Sequence, residues 1–113
     1  MSEAEEQRIV AKYLDWMNYL WFHPPNEAKR SVRLASTLKA QGLKSGVPDV
    51  CILEQRNGKG GLFIELKVGK NKPTEEQERW LKRLSEKNYA TAVCYSAEHA
   101  IKVIEEYMNG TIS

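Results

Sequence analysis

One stretch of this chain lacks acid altogether. Between Ala28 and Pro48 there is no Asp or Glu, yet Lys29, Arg30, Arg33, Lys39 and Lys44 fall inside it. The whole chain carries a net charge of only +2, so the basic character is local. A local basic run, with a second group at Lys67, Lys70 and Lys72, points to a polyanion held through its phosphates. The bland alternative is a solvated helix face. Cysteine is scarce: Cys51 and Cys94 lie in apolar, strand-like segments without histidine neighbours. That excludes a zinc site built on them and leaves two buried free thiols. Long apolar runs are missing too. The stretch 19–22 is far too short to span a bilayer. Met1-Ser2-Glu3-Ala4-Glu5-Glu6 is acidic and polar, the opposite of a signal peptide. The expectation is a cytoplasmic protein with no membrane partner. At 113 residues it is expected to be one domain over 1–113, with enough chain for a core.

Hydrophobic periodicity predicts helix, strand, helix, strand, strand, helix, strand, helix. Ile9, Val10, Tyr13, Leu14, Met17 and Trp21 recur at helical spacing behind a Ser2 cap, predicting a helix over 3–18. Residues 20–23 read as extended, and Pro24-Pro25 stops any helix. A second helix is predicted over 31–41, ended by Gly42. Strands follow over 47–53 and 61–68, joined by a hairpin with Asn57-Gly58 at its tip. Thr74 and Gln77 form a capping box for a third helix, which buries Trp80, Leu81 and Leu84. A strand over 89–95 precedes a last helix capped by Ser96, burying Ala100, Ile101, Val103, Ile104 and Tyr107. Trp16, Trp21 and Trp80 are candidates for core or interface, with the core preferred. The fold class is α/β, a small mixed sheet flanked by helices.

The chemistry sits in Gly46-Val47-Pro48-Asp49 and Ile64-Glu65-Leu66-Lys67. Side chains alternate along a strand, so Leu62, Ile64, Leu66 and Val68 share the core face. Phe63, Glu65 and Lys67 share the other, with Glu65 and Lys67 about 7 Å apart. The hairpin can bring Asp49 beside Glu65. Two carboxylates suit Mg²⁺ or Mn²⁺, which take oxygen ligands, with the Leu66 carbonyl available as a third. Such an ion polarises a phosphate and acidifies a bound water, while Lys67 can orient hydroxide and stabilise the transition state. Taken singly, a Pro-Asp turn or a Glu-x-Lys on a strand is commonplace. Together they are the equipment of a metal-dependent phosphodiesterase.

This constellation is the PD-(D/E)xK nuclease signature, and the expected core is of the restriction-endonuclease type. The blocks 23–30, 42–49, 61–67 and 73–77 closely resemble the VRR-NUC family, over nearly the whole chain. That resemblance implies a metal-dependent endonuclease, like stand-alone phage-type members that act as homodimers on four-way DNA junctions. The setting would be a bacterial or phage-infected host cell. Asp49, Glu65 and Lys67 match the central motif. Gln77 matches a glutamine near the site, although the capping box alone would explain it. The family's first helix contributes an acid; here Glu3 is favoured, with Glu6 next. Asn26, Lys29 and Arg30 follow an extended segment and look placed for phosphates, and Arg33, Lys44 and Lys70 are further DNA-binding candidates. His23 reads as part of its strand rather than as a general base. The partner would be branched or duplex DNA. The alternatives are a flap- or sequence-directed nuclease and a non-catalytic DNA-binding module.

Overall fold

The computed structural model describes residues 1–25 and 31–110. The elements come in the predicted order: α1 (Glu3–Trp16), β1 (Trp21–Phe22), α2 (Val32–Ala40), β2 (Val50–Ile52), β3 (Leu62–Leu66), α3 (Glu75–Glu86), β4 (Ala90–Cys94) and α4 (Ala97–Met108). Local chemistry sets the helix starts. Ser2 and Glu5 form a reciprocal capping box on α1, Thr74 and Gln77 another on α3, and Ser96 accepts the His99 N–H at the head of α4. Among the described residues, no helix is long and apolar enough to cross a membrane.

The four strands form one mixed sheet in the order β1-β2-β3-β4. The first two pairings are antiparallel, and β3 runs parallel to β4 with α3 as the crossover. Asn57 (φ 49°) and Gly58 (φ 78°) turn the β2–β3 connection, the positive angles that a tight hairpin with right-handed twist needs. Val50 pairs with Ile64, so extending the register by one residue sets Asp49 opposite Glu65.

The core lies between the sheet and the α1–α4 pair. Val10 and Leu14 of α1 and Ala100, Ile104 and Tyr107 of α4 pack on Ile52, Leu62, Ile64 and Leu66. Each fully buried Leu or Ile contributes about 1.5–3 kcal/mol. Gln77 brings α3 to the other face of the sheet at Glu65, where Phe63 meets Tyr89 edge to face at 5.2 Å.

Three expectations need correction. Trp16 is 82% exposed, because it falls on the opposite side of α1 from Val10 and Leu14. Ile9 and Met17 sit at the margin of the apolar stripe and stay 40% and 38% exposed. Trp80, Leu81 and Leu84 are only partly buried, and Trp80 lines a cleft beside α2 rather than the core.

Candidate active site

Asp49 stands just before β2, and its carboxylate is almost wholly buried. Its Oδ2 accepts the backbone N–H of Leu66 at 2.8 Å. That bond ties the start of β2 to the end of β3 and aims the acid at the sheet face that carries Glu65. Leu66 thus enters the site through its N–H, while its side chain is buried in the core.

Glu65 is 1% exposed. Its Oε2 accepts from Gln77 Nε2 at 3.1 Å and lies 3.9 Å from Lys67 Nζ. Its Oε1 is buried with no hydrogen-bond partner. Burial pushes this carboxyl up to about 9, helped by the neighbouring Asp49 carboxylate. Lys67 pulls the other way, and Glu3 adds to the rise. Without a cation, burial therefore favours the protonated form of Glu65.

Gln77 is divided between two tasks. Its Oε1 accepts the Thr74 N–H at 2.8 Å, completing the cap, while its Nε2 holds Glu65. The two roles that the sequence left as alternatives are filled by opposite ends of one amide.

A pocket of about 320 Å³ opens onto this cluster, lined by Glu3, Ala4, Gln7, His23 and Asp49. Glu3 and Gln7 lie one turn apart on α1, so both face it. Glu6 does not join them: its Oε2 accepts the Ala97 N–H at 2.9 Å and satisfies the head of α4. Two residues of the pocket wall carry signals that sequence reasoning passed over. Gln7 Nε2 is buried without a partner. His23 Nδ1 lies 2.6 Å from the Asp49 carbonyl oxygen. A carbonyl only accepts, so the proton sits on Nδ1 and the imidazole braces the Asp49 backbone.

The DNA-binding candidates scatter. Lys44 lines a cleft between α2 and α3. Arg33 is exposed on α2, and Lys70 is exposed in the loop after β3. Asn26, Lys29 and Arg30 lie outside the described residues.

A family model described as the VRR-NUC domain matches residues 1–98. The chain belongs to the VRR-NUC family. A solved structure titled "VRR_NUC domain protein" is 25% identical, with a TM-score of 0.84 over 97% of this chain and 90% of that one. A second, titled "VRR_NUC domain", is 22% identical and shares the fold, with a TM-score of 0.63 over 93% of this chain and 96% of its own. No curated protein matches. VRR-NUC is a nuclease family.

Proposed function

We propose that this protein is a divalent-metal-dependent endonuclease that hydrolyses phosphodiester bonds in branched DNA, acting as a homodimer on four-way junctions. One observation carries the reading. Two buried carboxyls, Asp49 and Glu65, face each other beside the Lys67 ammonium, and Glu65 Oε1 is left without any partner. Burying two acids together is costly unless a cation joins them.

The donor set suits Mg²⁺ or Mn²⁺. Among the described residues, no three His, Cys, Asp or Glu side chains gather into a ready-made cation cage. Mg²⁺ does not need one, because it takes one or two carboxylates and fills the rest with water and substrate phosphate. Asp49 and Glu65 would hold the ion, which supplies a polarised phosphate and an acidified water. Lys67 opposes the charge that builds on the phosphate oxygens as the new P–O bond forms and the old one breaks. Gln77 keeps Glu65 aimed, and Leu66 N–H and His23 keep Asp49 aimed.

The dimer is supported by the exposed apolar side chains Trp16, Leu20, Phe22 and Leu53 on and beside the edge strand β1. Paired cuts across a junction need two sites in one symmetric assembly.

The test is cleavage of a four-way junction, a 5′ flap, a nicked duplex and a plain duplex with Mg²⁺, Mn²⁺ or EDTA, alongside Asp49→Asn. Symmetric, metal-dependent nicks confined to the junction support the proposal. Cutting of flaps or plain duplex keeps the nuclease and discards the junction. Tight binding without cleavage of any DNA leaves a binding module. Light scattering on the same sample tests the dimer.

A further inference from the structure

A second feature of the fold lies outside the carboxylate cluster. A cleft of about 700 Å³ runs between the end of α2, the 43–45 loop and the outer face of α3. Lys39 and Lys44 stand on one wall, Arg79 and Arg83 on the other, and Glu76 is the only acid among the described residues that line it. Glu76 is occupied, accepting from the Ser45 hydroxyl. None of the four cations has an ion-pair partner among the described residues. Four exposed cations gathered around one cleft raise its positive potential and attract anions.

The cleft is already formed. Trp80 Nε1 donates to the Ser45 carbonyl at 3.0 Å and bolts the loop to α3. Gly46 (φ 82°) packs so closely on the Glu76 backbone that a Cβ would come within 2.8 Å of it. Both walls are tied to the cluster through the chain. Glu76 precedes Gln77, which holds Glu65, and the loop runs directly into Pro48 and Asp49. Arg79 and Arg83 are one helical turn apart, about 6 Å, on the same face of α3.

The outer wall is itself unusual. α2 is nine residues long and buries none of its side chains, with Val32 88% exposed. A helix this short is marginal in water without packing. A second groove of about 430 Å³ continues the cleft along α2 past Ser36, sharing Lys39 and Lys44. Its further lining, Val32, Ala35 and Ser36, is uncharged, so the positive charge is that of the cleft itself, where four cations on two walls suit successive phosphates of a polymer better than one small anion.

We infer that this cleft is the track for one duplex arm of the DNA, held through its phosphates by Lys39, Lys44, Arg79 and Arg83. The inference rests on the nuclease reading and names the surface that delivers the strand to Asp49 and Glu65. Phosphate contacts position DNA without reading sequence.

The experiment uses the whole chain carrying Asp49→Asn, in which cleavage should be lost and DNA binding kept, and measures binding of a labelled four-way junction, a duplex and a single strand across a salt series. Arg79→Ala/Arg83→Ala is added to that background, with Lys12→Ala/Lys102→Ala as the charge-matched control. Both pairs change exposed side chains only, and thermal melts verify that each is folded. The groove pair should weaken junction and duplex binding about tenfold and lower the slope of log K against log salt by about 2, with the control unchanged. In the cleaving protein the same pair should raise KM with little effect on kcat. Equal effects from groove and control pairs, or a loss confined to single strands, overturn the track while leaving the nuclease intact. Absence of DNA binding and cleavage before any groove change overturns both.

Discussion

Asp49 Oδ2 and the Leu66 N–H meet at 2.8 Å inside the protein, so the first acid of the motif is also a strand connector. The two duties can be separated. Asp49→Asn keeps a carbonyl oxygen that can accept from Leu66, whereas Asp49→Ala leaves that buried N–H bare. An orphaned buried donor costs about 1–3 kcal/mol. Urea unfolding should show Asp49→Ala destabilised by that amount relative to Asp49→Asn. Both should have lost cleavage by at least about 10³-fold, the scale of losing a metal ligand and its electrostatic stabilisation. Equal stability of the two variants would mean that the Leu66 bond is not worth its apparent geometry.

Glu65 makes the metal-free protein pH-sensitive in a defined direction. Its folded-state pKa is raised from 4.5 to about 9, so the folded form holds a proton that the unfolded chain releases. The stabilisation is fully present below about pH 4.5 and is lost as pH rises through about 9. Glu65→Gln has no such proton to lose. In EDTA, the variant should gain on wild type steadily as pH rises from 5 to 8. A gap that stays flat across that range would show that Glu65 is ionised in the fold.

The same proton stands in the way of a cation. Mn²⁺ binding must displace it, so affinity should climb with pH by up to about tenfold per unit below pH 9. Calorimetry in two buffers of different ionisation enthalpy should count about one proton released per ion at pH 7. Lys67→Met removes the one cation that lowers the Glu65 pKa, so this dependence should move to more alkaline pH and cleavage should fall about 10²–10³-fold. Proton-neutral binding at pH 7 would contradict a protonated Glu65 in the metal-free fold.

The sequence carried the elements and the motif because both rest on local rules. Alternation in Leu62–Leu66 put Glu65 and Lys67 on one face, and Asn57-Gly58 implied the hairpin that sets Asp49 opposite Glu65. What escaped it depends on long-range docking. Glu3 and Glu6 are neighbours on one helix, and only the approach of α4 draws Glu6 away to Ala97, 91 residues distant. Alternation could not tell that α3 would seal Glu65 from solvent. It also could not place His23 against the Asp49 carbonyl, a contact across 26 residues of chain. Trp16 looked like core by residue type, and its angular position on α1 left it outside.

Gln77 offers the sharpest separation of architecture from chemistry, because its two amide ends can be changed independently. Gln77→Glu keeps an oxygen for the Thr74 N–H, so the cap on α3 survives, and an acid in the first helical turn suits the helix dipole. At the other end it replaces a donor to Glu65 Oε2 with an acceptor bearing charge. That should drive the Glu65 pKa higher still and weaken cleavage at pH 7 about 10–100-fold, with partial recovery toward alkaline pH. Gln77→Ala loses both bonds but adds no charge. It should cost about 1 kcal/mol from the cap and shift the pH profile less. Rates over pH 6 to 9, paired with urea melts, distinguish these outcomes. If Gln77→Glu cleaves like wild type, Gln77 is a cap and nothing more. If Gln77→Ala and Gln77→Glu lose cleavage equally and with the same pH profile, the donor to Glu65 matters only as a structural strut.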